Sequence, residues 1–260
     1  MPAIQPEYLQ RQIEDLLSKV HDPRTFIRSC MNLLDYYADR TKRPRGSVAK
    51  VEIAKILRVP RPVMKTLCLR IQQFDGGESA HWLDIGRGLW NQAIREARQV
   101  AACALTKFPE EMIPADVEAW AIVCEDDEAL TYLTSIGLKL WREQDQNRFY
   151  AQAEAWLGDE RVRIRHMAIL ALQARSGDDD FDEIPLILAK LTGLSAHVRG
   201  SSQRSLTGLI RHLARISSPE VAKFLMDEVD ADVPGARRLA QTAMAAFPER
   251  LQAELSKTLG

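Results

Sequence analysis

The stretch "IRHMAILAL", residues 164–172, places Ile164, Ala168 and Leu172 four residues apart, with an arginine second and a small residue fifth. That spacing writes one apolar stripe on a helix, and the small residue lets a neighbouring backbone come close. Asking whether it recurs comes first, because a fixed period of 20–50 residues dictates an architecture. It recurs as "ARQVAACAL" (97–105), "VRGSSQRSL" (198–206) and "ARRLAQTAM" (236–244), with looser copies "IRSCMNLLD" (27–35), "VMKTLCLRI" (63–71) and "LTYLTSIGL" (130–138). Their second positions are 28, 64, 98, 131, 165, 199 and 237, separated by 36, 34, 33, 34, 34 and 38 residues.

Each copy reads as the buried second helix of a pair. The first helices are "PEYLQRQIEDLLSKV", "SVAKVEIAKIL", "SAHWLDIGRGLW", "IPADVEAWAIVC", "QNRFYAQAEAWL", "DEIPLILAKLTG" and "SPEVAKFLMDEV". Many open on Pro, Ser or Asp, which suit the first turn of a helix. No alternating polar and apolar run predicts a sheet. The expected fold is all-α, a right-handed solenoid of about seven antiparallel helix pairs in a single domain over 1–260, and it resembles HEAT repeats. That resemblance implies that Arg98, Arg165, Arg199 and Arg237 join a ladder of Asp–Arg contacts between repeats. Arg161 and Arg163, in the turn before their helix, are less constrained and stand where helix amides and side chains jointly meet an anion.

The chain has 260 residues, 46% hydrophobic content and a formal net charge of −1, which fits a soluble globular protein and excludes a uniformly basic one. Charge is segregated, however: residues 36–70 hold ten Lys/Arg against Asp39 and Glu52, whereas 108–138 hold eight acids and no Lys or Arg. No apolar run approaches the roughly 20 residues that span a bilayer, and the start lacks the regions of a signal peptide, so a cytoplasmic location is expected. Cys30, Cys68, Cys103 and Cys124 lie in apolar helical patterns without C-x-x-C spacing and read as reduced core residues. The five histidines share no ligand spacing, and no phosphate loop, nucleophile elbow or dinucleotide fingerprint is present, so neither metal nor cofactor is expected.

One segment carries more than a generic repeat. "RGLWNQAIREARQVAACALTKF" (87–108) closely resembles a stretch of the AlkD-like DNA alkylation repair glycosylases, with Arg87, Leu89, Trp90, Arg95, Glu96, Ala101, Lys107 and Phe108 at matching offsets. "LRVPRPVMKTLCLRI" (57–71), "RIRHMAILAL" and "LTGLIRHLARISSPEVAKFL" (206–225) are similar to further family segments in the same order. The resemblance implies a solenoid holding duplex DNA and removing cationic alkylated purines. It also implies an Asp that stabilises positive charge developing on the sugar, two Trp side chains lining the deoxyribose, and an Arg supporting the Asp. A fixed carboxylate in a poorly hydrated site suits an oxocarbenium-like transition state.

Carried over by residue, that constellation does not survive. The Asp falls within "DEALTYLT" (127–134), at Thr131 or Thr134, and the second Trp falls on Leu209 or Arg204. The supporting Arg falls on Arg165 or His166, a basic position either way. The remaining catalytic candidates are Asp126, Asp127 and His166, with acidic first-turn chemistry at a helix dipole as the other reading of "CEDDEAL". The expected function is phosphate binding on duplex DNA by a concave basic face, through Arg61, Lys65, Arg95, Arg161, Arg163, Arg165, Arg204 and Arg211, with little or no glycosylase activity. Two alternatives stay open: an active alkylpurine glycosylase with a relocated carboxylate, and a scaffold that binds a protein partner.

Four weaker features remain. "VEIAKILRVPRPVMKTL" (51–67) has a helix-turn-helix pattern, but in the same frame as the solenoid. "RTKRPRG" (40–46) is a basic loop, either solvated or touching phosphates. "SGDDDFDEIP" (176–185) clusters carboxylates without EF-hand spacing and reads as a solvated loop. The five tryptophans read as core.

Overall fold

A computed structural model describes residues 4–39 and 55–259. Most of these residues are helical, with one isolated parallel bridge, Lys55 to Ile94, and no strand among them. The all-α expectation holds. Two compact units divide the chain, residues 1–144 and 145–260.

The first unit contains α1 (Pro6–Leu17), α2 (Pro23–Tyr36), α3 (Arg61–Gln73), α4 (Ser79–Trp90), α5 (Arg95–Ala104), α6 (Ile113–Val123), α7 (Asp127–Tyr132) and α8 (Lys139–Gln144). The second contains α9 (Gln146–Leu157), α10 (Val162–Arg175), α11 (Ile184–Leu191), α12 (Gly200–Ile216), α13 (Ser218–Asp230), α14 (Ala236–Ala243) and α15 (Glu249–Leu259). The expected second helices correspond to α2, α3, α5, α7, α10, α12 and α14, and they stack as α3–α5–α7 and as α10–α12–α14. Small residues make this close stacking possible: Ala101, Ala168, Ser202 and Ala240 occupy one frame position and are all buried. Six of the seven expected first helices are present as α1, α4, α6, α9, α11 and α13; α8 and α15 lie outside the repeat frame.

The seventh, "SVAKVEIAKIL", fails where it is described. Residues 47–54 lie outside the described residues, as does the basic loop 40–46, and 55–57 are not helical. Lys55 bridges to Ile94 instead, its N–H donating to the Ala93 carbonyl at 3.1 Å while the Arg95 N–H donates to the Lys55 carbonyl at 3.0 Å. Just beyond it, the Glu96 carboxylate accepts the amides of Leu57 (3.0 Å) and Arg58 (2.6 Å), and Pro60 precedes α3. Those two amides are therefore unavailable to a helical ladder, which removes the C-terminal end of the first helix from the helix-turn-helix pattern.

The fourth second helix also departs from the expected form. After Tyr132 it widens into a π-turn over Leu133–Gly137, closed by the Leu138 N–H donating to the Leu133 carbonyl at 3.1 Å. Arg142, 2% exposed, donates to the Thr134 and Ser135 carbonyls at 2.7 and 3.3 Å. The guanidinium thus satisfies carbonyls at the widened turn. Gly137 permits the close approach, since a Cβ there would lie 3.1 Å from the Ala102 carbonyl oxygen.

The core expectations hold: all five tryptophans and all four free cysteines are buried. Trp90 stacks on Trp120 with centroids 4.7 Å apart and an interplanar angle of 9°.

The arginine ladder takes a different form. Arg98 donates to the Trp90 carbonyl and lies over the Trp90 ring, and Arg165 donates to the Asp159 and His197 carbonyls. Arg199 donates to the Val198 carbonyl and Arg237 to that of Leu259. Their partners are main-chain oxygens and, for Arg98, also the Cys124 sulfur, rather than aspartates, because helix and turn ends present unpaired carbonyls there.

Nor is "SGDDDFDEIP" a fully solvated loop. Arg175, 1% exposed, draws in Asp180 (2.6 Å), Glu183 (2.8 Å) and Asp178 (3.5 Å), so a buried guanidinium organises the acids. No helix among the described residues is long and apolar enough to cross a membrane.

Candidate nucleic-acid interface

In the first unit the stacked helices α3, α5 and α7, with the segment before α3 and the π-turn after α7, enclose a pocket of about 660 Å³. Along α3, Arg61, Lys65, Leu69 and Gln72 follow one another at helical spacing and all line it. Arg61 and Lys65 are exposed, and no carboxylate among the described residues pairs with either. Val59, Met64 and Cys68 form a buried apolar floor, while Leu69 stays 46% exposed at the side. Tyr132 and Cys103 stay protonated at neutral pH: burial raises both, and the neighbouring thiols hold the phenol up further. The pocket thus combines an apolar floor with Arg61 and Lys65 at its edge, while Glu96 and Glu128 also line it.

Arg95 also reaches the pocket, but its charge is already matched. Nε donates to Asp126 at 2.6 Å and Nη2 donates to the other oxygen at 3.1 Å, while Nη1 donates to Glu128. Asp126 is 3% exposed and caps α7, accepting the Glu128 and Ala129 amides at 3.0 and 3.4 Å. Burial pushes its pKa up, but the Arg95 bonds and charge and the two amides outweigh that, leaving it below the usual 3.8. Both oxygens of this catalytic candidate are occupied by the fold. Asp127 starts α7 and its carbonyl accepts the Thr131 hydroxyl at 2.8 Å. Of the two positions matched to the family's carboxylate, Thr134 is fully buried and Thr131 lines the pocket. Two acids line the pocket: Glu96, buried and holding the Leu57 and Arg58 amides, and Glu128, one turn before Thr131, with its side chain 63% exposed.

The remaining candidates lie in the second unit. Arg161 precedes α10 and is closed onto Asp159, which accepts its amide at 2.7 Å and its guanidinium at 2.9 and 2.6 Å. Those bonds hold Asp159 at about 2, so the anion expected at this turn is the chain's own carboxylate. Arg163 reaches His166 Nδ1 at 3.3 Å, and His166 Nε2 lies 2.9 Å from the Ser205 hydroxyl. A guanidinium only donates, so Nδ1 accepts and Nε2 carries the proton. His166, 2% exposed, then donates to Ser205 and offers it no lone pair, which is the wrong polarity for a base activating a serine. Arg204 is exposed on α12, and Arg211 donates to the Thr242 carbonyl at 3.1 Å through Nε.

The segment that carried the family resemblance proves to be a set of scaffold contacts. Arg87 pairs with Asp116 at 2.7 and 3.0 Å, joining α4 to α6, and Trp90 stacks on Trp120. Glu96 holds the turn before α3, Lys107 donates to the Gln72 carbonyl at 2.7 Å, and Phe108 packs edge-on against Trp120. Sequence reading missed Arg58, Leu69, Gln72, Gln99, Glu128 and Tyr132. The available signal was the run of 61, 65, 69 and 72 on one face, in which two cations lead into an outward leucine. Arg58 gave no such signal, because its left-handed backbone (φ +58) depends on Glu96, 38 residues away.

An all-α protein built of stacked helix pairs, with a cation-rimmed pocket on its second helices, is the class that the fold and site define. Residues 18–244 match the family described as DNA alkylation repair enzyme, and the chain belongs to that family. No curated protein and no solved structure matches it.

Proposed function

We propose that this member of the DNA alkylation repair family binds duplex DNA through its phosphates and has little or no glycosylase activity. The carrying observation is the contrast at the pocket: Arg61 and Lys65 present charge with no carboxylate partner among the described residues, while the position that the family resemblance gives to the catalytic carboxylate falls on Thr131 or Thr134, a threonine either way. Arg204 adds an exposed cation in the second unit, and Arg163, Arg165 and Arg211 contribute to the field there. Arg95 and Arg161 shape their surroundings, their charges being matched by acids. Phosphate contacts of this kind are read without base sequence and weaken with salt as counterions are released.

A relocated carboxylate is the second reading, and the position of Glu128 favours it over Asp126 or Asp127. Its exposure and its ion pair with Arg95 work against it, since a solvated, neutralised carboxylate gives little to an oxocarbenium-like sugar. The test pairs two measurements on one preparation: affinity for a short duplex across a salt series, and release of 7-methylguanine from alkylated DNA. The expected result is binding that falls steeply with salt and no base release. Release abolished by Glu128→Gln establishes the second reading, and absence of DNA binding at physiological salt leaves the protein-scaffold alternative.

A further inference from the structure

A surface that touches only phosphates needs charge and little depth, whereas this one has an apolar-floored pocket beneath its charges. We propose that the pocket between α3, α5 and α7 takes a single unstacked nucleotide, base inward and phosphate on Arg61 and Lys65. The inference deepens the DNA-binding reading and rests on it for the strand that supplies the nucleotide.

Its volume, about 660 Å³, lies in the range of roughly 300–1,000 Å³ typical of small-molecule sites. The floor of Val59, Met64 and Cys68 suits the face of a base, and Leu69, 46% exposed, gains by being covered. Gln72 and Gln99 project from neighbouring helices into the same space, each carrying a donor and an acceptor that suit any base edge. Arg61 and Lys65 stand one turn apart on α3 at the rim, where the phosphate of a nucleotide entering base-first stays in water. Of the carboxylates that line the pocket, Glu96 is engaged by the Leu57 and Arg58 amides and Glu128 by Arg95, and the Tyr132 phenol is uncharged, so repulsion toward the anion is reduced. An apolar floor beside Arg61 and Lys65 therefore favours a nucleotide over a bare phosphate, and a base over a second charge.

The experiment compares two duplexes that differ by one base: one with a single bulged deoxyadenosine, the other with an abasic residue bulged at the same place. Each protein is read as the ratio of its two affinities, so a loss common to both DNAs cancels. The expected ratio is about tenfold in favour of the base, falling to one in Thr131→Trp, which fills the pocket, and in Leu69→Asp, which charges its side. Circular dichroism confirms that both variants are folded. Titration with free deoxyadenosine monophosphate by calorimetry separates a strand-borne nucleotide from a free one. Equal affinity for the two bulges, with neither variant changing it, overturns the pocket while leaving phosphate binding to the duplex intact. Binding of the free nucleotide, lost in Thr131→Trp, with no affinity for any DNA, keeps the pocket and overturns the DNA reading. No binding to DNA or to free nucleotide overturns both.

Discussion

Two neighbouring regions of the first unit treat charge in opposite ways. In residues 87–108 and the elements they meet, Arg87 faces Asp116, Arg95 faces Asp126 and Glu128, Glu96 holds two amides, and Lys107 meets a carbonyl. On α3, Arg61 and Lys65 face solvent at the rim of a pocket. The first arrangement satisfies its own charges and so builds the scaffold; the second leaves charge to be satisfied by something else. The difference separates a family signature that serves the scaffold from a pocket that presents charge outward. The signature residues hold α4, α5 and α6 together, and that task is independent of any chemistry in the pocket.

Substitutions in the two regions should therefore act on different properties. The largest effect on folding belongs to Trp90→Ala, which removes a fully buried ring stacked on Trp120 and should cost about 4 kcal/mol in urea unfolding. A cost below about 1 kcal/mol would break the scaffold half of the comparison.

Next comes Arg95→Met, which leaves Asp126 buried and capping α7 without its guanidinium and should cost about 3 kcal/mol at neutral pH. The pH dependence carries the sign. Asp126 is held below 3.8 in the folded state, so its stabilisation is complete above that value and disappears as pH falls through the lower folded value. In Arg95→Met this acid-side loss should shrink, which stability measured from pH 5 downward would reveal.

Glu96→Gln follows at about 1–2 kcal/mol, because a charged acceptor for two amides becomes a neutral one. Faster hydrogen exchange at Leu57 and Arg58 should localise the change. Glu128→Gln should shift stability by less than about 1 kcal/mol, since the carboxylate is mostly exposed, and a thermal melt suffices to test it.

The helical repeat was legible because it rests on local spacing: the second helices fall on the expected frame, and α4 and α9 have the expected bounds. The misses have non-local causes. Lys55 is drawn from a helix to a bridge by partners near residue 94, and the widened turn after Tyr132 depends on Arg142 and Gly137 packing onto other segments. The acids of 178–183 read as a solvated loop because the burial of Arg175 is invisible in one dimension. At the site, Arg61 and Lys65 were legible as helix-face cations. Whether a given arginine faces solvent or a carboxylate about 30 residues away, as Arg95 does, was not.

The most direct test of the account is the salt dependence of duplex affinity for the wild-type chain and for Arg61→Ala/Lys65→Ala. These exposed positions should change stability by no more than about 0.5 kcal/mol. The account predicts weaker binding and a log–log salt slope reduced in magnitude by about 1.8, or about 0.9 for each lost phosphate contact. An unchanged slope and affinity would contradict it and place DNA elsewhere than on α3.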